Sequence, residues 1–199
     1  MTLQLLDWRR SVADLYREVR TDAERDPAGA LTRFRAGRDR LFAEHPESPL
    51  TPPARARFDH LPYWPHDPAL RFEAVVEPAP PERLAAGSLD GEAFPLVRIG
   101  RVSLPVGVLE VYWIDVYGGG IFVPFRDATA GRTTYGAGRY LLDTVKGADL
   151  GGSEGRLVLD FNYAYHPSCA YDPRWSCPLA PRANWLTVPV EAGERLADG

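Results

Sequence analysis

The first part of the chain places hydrophobic residues at intervals of three and four, with charged residues between them. This spacing is the period of an amphipathic α-helix, whose apolar stripe faces a core. The stripe of the first predicted helix consists of Leu5, Trp8, Val12, Leu15, Tyr16 and Val19. We predict that this helix runs from residue 3 to about residue 25.

A second helix is predicted to begin at Asp26-Pro27. Aspartate can cap the free amides at a helix start, and proline at the first helical position loses no hydrogen bond. The helix should end near residue 44, because Pro46 restricts the residue before it. Its stripe also contains Arg38, which we interpret as an arginine that extends its charged end to solvent. The stripe consists of Leu31, Phe34, Leu41 and Phe42.

A proline-rich stretch, residues 46–69, separates these helices from the rest of the chain. It also carries Phe58, Tyr63 and Trp64, so we predict a loop packed down by its own side chains. From residue 70 the hydrophobic period changes to two, which is typical of a half-buried strand. Residues that follow this period are Leu70, Phe72, Ala74 and Val76.

Five further segments read as strands and are separated by glycine and proline turns: 94–99, 106–117, 121–125, 156–165 and 185–190. No helical pattern of ten residues lies between them, so the strands should be antiparallel. We predict a mainly β fold, an antiparallel barrel-like or strongly curved sheet with an N-terminal two-helix hairpin. Residues 1–199 would form a single domain, with the hairpin in 1–45, the packed loop in 46–69 and the β core in 70–199.

Composition and charge exclude several classes of protein. With 199 residues, 45% of them hydrophobic, the chain is long enough to bury a core without disulfides or metal. A net charge of −4 argues against a nucleic-acid partner, because phosphate contacts demand an excess of basic residues. No apolar run approaches a membrane span, and the first residues meet charge too early for a secretory segment. We therefore expect a cytoplasmic protein with no membrane partner; its oligomeric state is left open.

Polar residues alternate with apolar ones in the predicted strand 156–165. This alternation places Asp160, Asn162 and, just beyond the strand, His166 on one face. In a barrel one face of each strand is lumenal, so these groups could line a polar pocket. If the apolar face is lumenal instead, the same groups are simply solvated.

A second concentration of candidate residues lies in 127–140, where glycines and threonines accompany Arg132, Tyr135 and Arg139. Glycines allow close backbone approach, and guanidinium groups match an anionic ligand. The spacing fits neither a P-loop nor a dinucleotide fingerprint. An ordinary hairpin with surface arginines is the alternative.

The two cysteines, Cys169 and Cys177, lie eight positions apart, close in sequence to His166. Three such groups fall short of a tetrahedral zinc site, so we predict that they do not form a structural one. Two reduced thiols and a disulfide both remain open. A metal-dependent hydrolase that uses His60, His66 or His166 is a third hypothesis for function, although these histidines are scattered along the chain.

Several long motifs resemble a bacterial domain-of-unknown-function family, number 1684. They are FRDATAGRTTYGAGRYL at 125–141, LDFNYAYHPSCAY at 159–171, CPLAPRAN at 177–184, AGE at 192–194 and HPESPL at 45–50. The family has no established activity. It usually shows Asn where this chain has His166 and Gly where it has Ala137, and the first departure argues against His166 as a metal ligand. The resemblance places six residues in motif cores: Tyr135, Arg139, Asp160, Asn162, Cys169 and Cys177.

We therefore expect a small-molecule-binding barrel with a pocket for an anionic or polar ligand, in which catalysis is left open. Arg132 or Arg139 would anchor the anion, and Asp160 would orient that arginine or act as a base. The alternative is a structural or interaction module with a filled barrel, in which Arg139 and Asp160 pair with each other. The sequence identifies no cofactor and no metal. The candidate ligand-binding residues, expected to converge on one cavity, are Arg132, Tyr135, Arg139, Asp160, Asn162 and His166.

Overall fold

A computed structural model describes residues 3–197 and begins with the predicted helical hairpin. Helix α1 spans Leu3–Asp22 and helix α2 spans Pro27–Glu44. The carboxylate of Asp26 accepts a hydrogen bond from the Gly29 amide at 3.0 Å, which starts α2 at the expected residue. A short helix α3, Pro52–Arg55, lies in the proline-rich stretch.

The rest of the described chain is built from antiparallel strands, as predicted. These are β1 (Arg71–Val75), β2 (Glu77–Gly87), β3 (Ala93–Leu104), β4 (Gly107–Ile114), β5 (Ile121–Phe125), β6 (Arg139–Asp143) and β7 (Arg156–Asp160). Strands β2 to β6 form a five-stranded sheet in chain order, and β1 pairs with β7 in a second sheet. Across residues 3–197 the larger sheet stays open, with β2 and β6 at its two edges, so no closed barrel is found.

Strand β2 was not predicted, because Pro78, Pro80 and Pro81 interrupt its pattern. Proline cannot donate to a β ladder and is therefore tolerated on edge strands and at bulges. Strand β2 is an edge strand, and its register with β3 shifts between Pro78 and Glu82. In the sequence these prolines argue against a strand. They are tolerated here because β2 lies at the open edge of the sheet.

The predicted strand 156–165 is too long. Strand β7 stops at Asp160, whose carboxylate accepts a hydrogen bond from the Asn162 amide at 2.9 Å and caps the 3-10 turn Phe161–Tyr163. The alternation of faces is lost at this turn. Asp160, Asn162 and His166 therefore do not share one face of a strand, contrary to the sequence-based prediction.

The predicted strand 185–190 is also absent from the described structure. Trp185 forms one isolated bridge with Arg126, and the segment then runs irregularly. The amide of Val190 donates to the Asp127 carboxylate at 2.7 Å, so a side chain replaces the neighbouring strand as its acceptor.

The helical hairpin packs on the β core through aromatic side chains. The rings of Tyr16 and Phe34 meet edge to face at 5.0 Å, and Phe34 meets Tyr163 in the same way at 4.9 Å. Tyr163 follows directly after β7, so this stack fixes the helices against the second sheet. It also places the C-terminal part of α1 beside the end of β7, where a cavity opens.

Candidate functional site

A cavity of about 300 Å³ lies between α1, the second sheet and the loop that precedes β7. We call it the Asp160 cavity. Its charged lining combines three arginines with three acids: Arg20, Arg71, Arg156, Glu24, Glu73 and Asp160. Of these residues, only Asp160 was a candidate from the sequence. The others come from segments far apart in the chain.

Asp160 enters the cavity from the end of β7, opposite Arg71 of β1 in the register of the second sheet. Its Oδ1 atom accepts from the Asn162 amide at 2.9 Å and from the Asn162 side chain at 2.8 Å. Burial raises the pKa of this carboxyl above its usual value, while the hydrogen bonds from Asn162 and the charge of Arg71 act in the opposite direction.

Two further groups in the lining lack partners. The buried hydroxyl of Tyr163 makes no hydrogen bond within the described residues. Within residues 3–197, Arg156 makes no ion pair and no side-chain hydrogen bond, whereas Arg71 lies 3.5 Å from Glu73. A buried hydroxyl without a partner favours a partner from outside the chain, whereas the Arg156 guanidinium is exposed and is free to bind one.

The loop before β7 brings backbone close to these groups. Gly152 has a φ of 158°, and a Cβ atom at this position would lie 2.1 Å from the carbonyl oxygen of Arg156. Only glycine fits this turn. Gly151, Gly152 and Ser153 therefore form a tight wall of the cavity next to the free guanidinium.

Arg139 lies elsewhere and is almost completely buried. Its Nη2 atom is 3.3 Å from Asp127 Oδ1 and donates to the Val190 carbonyl at 2.8 Å. Its Nη1 atom donates to the carbonyls of Ala192 and Glu194. Burial lowers the pKa of Arg139, and Asp127 acts against that effect. The predicted pairing of Arg139 with Asp160 is wrong, since Arg139 pairs with an acid from the loop after β5.

A second buried ion pair joins the helices to the C-terminal segment. Glu194 Oε2 accepts from Arg38 Nη2 at 3.0 Å and from the His166 amide at 3.1 Å. Burial works to raise the pKa of Glu194, but His166 and Arg38 outweigh it and hold that pKa below its ordinary value. The interpretation of Arg38 as a solvent-reaching arginine is therefore wrong. We refer to Arg139, Asp127, Arg38 and Glu194 as the buried ion pairs.

His166 is held from both sides of its ring. Its Nε2 atom accepts from the Tyr135 amide at 3.2 Å, so the ring proton belongs on Nδ1, which lies 3.5 Å from Glu194 Oε1. Both ring nitrogens are thus occupied by protein groups. No group of three or more His, Cys, Asp or Glu residues in the described part of the chain could hold a metal ion.

The remaining candidates are also separated. Asn162 fastens the proline-rich loop, with hydrogen bonds of 2.9 and 2.8 Å to the backbone of Asp67. Arg132 is exposed and donates to the Ala128 carbonyl. Asp160, His166 and Tyr135 line three different cavities, so the prediction that the candidates converge on one cavity is wrong.

Sequence reasoning missed most of the cavity lining. Arg71 and Arg156 lie in predicted strands but belong to no motif, and only the register of β1 with β7 brings Arg71 opposite Asp160. Asp127 and Glu194 do lie within the quoted motifs. Their negative charge was a signal in the sequence that Arg139 could pair with an acid other than Asp160.

None of the helices within residues 3–197 is both long and apolar enough to cross a membrane.

Comparison with known proteins gives a family and a solved relative. No curated protein matches the chain. The solution NMR structure of an uncharacterized protein from gene locus rrnAC0354 of Haloarcula marismortui is similar, with a TM-score of 0.60 and 35% identity over 88% of this chain and 97% of that one. The model of a family described as a protein of unknown function, DUF1684, matches residues 56–195. The chain therefore belongs to the DUF1684 family.

Proposed function

We propose that the protein binds a small polar ligand with an anionic group in the Asp160 cavity. The observation that carries this proposal is the lining of a cavity of about 300 Å³, in which Tyr163 has a buried hydroxyl without a partner and Arg156 has an exposed guanidinium without an ion pair among the described residues. Ligand pockets in proteins begin at roughly this volume and usually contain a few convergent polar groups.

The charges suggest how a ligand would be oriented. An anionic group such as a carboxylate or phosphate would bind to Arg156 and Arg71, whose guanidinium groups match planar or tetrahedral anions. Asp160 and Glu24 would accept hydrogen bonds from a donor elsewhere on the ligand. The lining is balanced in charge, which favours a ligand that carries both an acceptor and a donor end.

This proposal changes the roles assigned from the sequence. Asp160 stays a ligand-binding residue, and Arg156 and Arg71 replace Arg132 and Arg139 as anchors for the anion. The ligand would lie where α1 meets the second sheet, instead of inside the lumen of a barrel. Arg139 instead fits the alternative hypothesis, in which a buried charge has a structural role. Its guanidinium lies over the rings of Trp64 and Phe125 and donates to the Val190 carbonyl.

An NMR titration tests the proposal. Glutamate, glutarate and inorganic phosphate would each be added to labelled protein while the amide signals of Gly151, Gly152 and Ser153 are followed. Glutamate should bind most tightly, because only this probe offers Asp160 an ammonium donor together with an anion. No shift of these signals by any probe at concentrations on the order of 10 mM would contradict the proposal.

Two variants locate the binding. Arg156→Gln should weaken binding of all three probes by about tenfold, the effect of one charge-assisted hydrogen bond. Arg132→Gln is the matched control, since Arg132 is an exposed arginine outside the cavity, and its affinity should stay unchanged. Equal affinity in both variants would mean that the probes bind elsewhere.

A further inference from the structure

A second open groove, of about 520 Å³, lies between the turn that joins β2 to β3, the loop that joins β5 to β6 and the C-terminal segment. We call it the Trp185 groove. Its apolar side chains are those of Leu89, Leu179, Ala180 and Trp185. Leu89 is 67% exposed and Trp185 is 41% exposed. Large apolar side chains that gather in one open, concave surface are typical of a binding site.

Arg126 is held in a fixed position at this groove. Its Nε atom donates to the Gly136 carbonyl at 2.9 Å, and its Cζ atom lies 4.3 Å from the centre of the Trp185 ring. The backbone of Arg126 is also fastened, because its amide donates to the Asn184 carbonyl at 3.0 Å and its carbonyl accepts from the Leu186 amide at 2.7 Å. An arginine that is already stacked and hydrogen-bonded loses little conformational freedom when it binds an anion.

The Nη1 and Nη2 atoms of Arg126 are free to bind a ligand. Within residues 3–197 neither atom makes a hydrogen bond, and no acid forms an ion pair with Arg126. The Cζ atom of Arg182 lies 4.9 Å from the centre of the same Trp185 ring, and Arg182 also makes no ion pair among the described residues. No acid in the described chain lines the Trp185 groove, whereas three line the Asp160 cavity. The Trp185 groove therefore combines apolar surface with positive charge.

We propose that the Trp185 groove binds a small carboxylic acid with a hydrophobic body. The two Nη atoms of Arg126 match the two oxygens of a carboxylate. The hydrophobic body would lie against Leu89, Leu179 and Trp185. This ligand differs from the polar one proposed for the Asp160 cavity, and no residue lines both sites. Either proposal can therefore fail without the other.

The size of the groove favours a small molecule over a protein partner. Its volume of about 520 Å³ falls within the range of roughly 300–1,000 Å³ for small-molecule sites. A stable protein interface needs about 20 residues on each partner, and the groove is lined by eight described residues. Tyr135 forms part of one wall, and its hydroxyl is fixed by a hydrogen bond of 3.3 Å to the Cys169 carbonyl. The ligand would thus contact a residue that the sequence analysis selected for binding.

An NMR titration with 3-phenylpropanoate tests the proposal. The acid is added to labelled, full-length protein while the amide signals of Gly136 and Ala137 and the indole N–H signal of Trp185 are followed. These signals should shift with a dissociation constant of about 1 mM or tighter. 3-Phenylpropanamide keeps the ring but lacks the charge, and propanoate keeps the charge but lacks the ring. Each should bind at least about tenfold more weakly than the acid.

Two results of this titration would overturn the proposal. The first is the absence of any shift of the groove signals by 3-phenylpropanoate at about 10 mM, or equal binding of all three probes. The second is a set of shifts confined to Gly151, Gly152 and Ser153, which would place the acid in the Asp160 cavity.

A variant of Arg126 locates the carboxylate. Arg126→Gln should weaken binding of 3-phenylpropanoate about tenfold and leave the weak binding of 3-phenylpropanamide unchanged. Arg132→Gln is the matched control, because Arg132 is an exposed arginine of the same loop that lines neither site. Its affinity for the acid should equal that of the wild type. Equal affinity of the two variants for the acid would show that Arg126 does not bind the carboxylate.

Leu89→Glu provides an independent test if Arg126→Gln fails to fold. Leu89 is mostly exposed in a turn, so this change should leave the fold intact. The new carboxylate would repel the acid and would also remove apolar surface from the groove. We expect at least about threefold weaker binding of 3-phenylpropanoate, with a smaller effect on the neutral amide. An unchanged affinity for the acid would contradict the proposal.

Discussion

Two buried acids, Glu194 and Asp160, stand in opposite electrostatic surroundings. Glu194 contacts a guanidinium directly, and the pKa of its carboxyl is lowered although burial alone would raise it. Asp160 accepts hydrogen bonds from the neutral Asn162, makes no direct ion pair among the described residues, and has a carboxyl whose pKa is raised by burial. The first carboxylate has its counter-ion within the fold, although its Oε1 atom makes no hydrogen bond among the described residues. The second is left with capacity for another partner.

The difference separates structural charges from candidate binding charges. A buried ion is tolerated when an opposite charge and hydrogen bonds replace the water that it has lost. Arg139 and Glu194 each have an opposite charge and hydrogen bonds from the described chain, while Arg139 Nε and Glu194 Oε1 make no hydrogen bond there. Asp160 is buried without a direct ion pair among the described residues, and Arg156 is exposed at the cavity, so solvent or a ligand completes both groups. Four experiments, three on substitutions and one on pH, test this difference between Glu194 and Arg139 on one side and Asp160 on the other.

The largest effect is expected from Arg139→Leu. This change leaves the Asp127 carboxylate buried without a counter-ion and removes hydrogen bonds to three backbone carbonyls. Breaking a buried pair in this way costs about 3–5 kcal/mol of unfolding free energy. Urea unfolding measures it, with Arg132→Leu as the exposed control. A loss of unfolding free energy below about 1 kcal/mol would mean that Arg139 is not a structural charge.

Glu194→Gln should lower the unfolding free energy by somewhat less than Arg139→Leu does. Glutamine keeps the size and one acceptor oxygen, but Arg38 loses its charged partner inside the protein. We expect a loss of about 2–3 kcal/mol, the range for a hydrogen bond to a charged group. The double variant with Arg38→Met should lose less than the sum of the single variants, because the two side chains interact. Strict additivity in urea unfolding would contradict the ion pair.

The pH dependence should follow from the lowered pKa of Glu194. Its carboxyl holds a proton less tightly in the folded protein than in the unfolded chain, so its stabilising effect is complete above the ordinary value of 4.5 and is lost as the pH falls below it. The difference in unfolding free energy between wild type and Glu194→Gln should therefore shrink from pH 6 toward pH 3. If the difference in unfolding free energy between the two proteins grew as the pH fell, the pKa of Glu194 would be raised by folding and not lowered.

Asp160→Asn should have the smallest effect on stability, and the opposite sign. The raised pKa means that the folded protein holds this proton more tightly than the unfolded chain does, so the ionised carboxylate costs stability at neutral pH. Asparagine retains an acceptor for the Asn162 amide. We expect a change between zero and a gain of about 1 kcal/mol, together with weaker glutamate binding. A loss above about 2 kcal/mol would move Asp160 into the structural class.

The hydrophobic periods in the sequence determined the secondary structure where that structure depends on near neighbours. The apolar stripe and the Asp26 cap predicted the helical hairpin, and the change of period near residue 70 predicted antiparallel strands. Prediction failed where a side chain replaces a backbone partner. Asp160 ends β7 by capping the following turn, and Asp127 receives the Val190 amide, so neither predicted strand continues.

The partners of the buried charges were decided only by tertiary structure. The motifs in the sequence contain Arg139, Asp160, Cys169 and Cys177 but do not show what each side chain contacts. Arg139 pairs with Asp127 because β5 and β6 are neighbours, and Arg71 faces Asp160 because β1 pairs with β7. Periodicity reports the few residues on either side of a position. The counter-ion of a buried charge depends on strand register and helix packing across the whole chain, which periodicity does not contain.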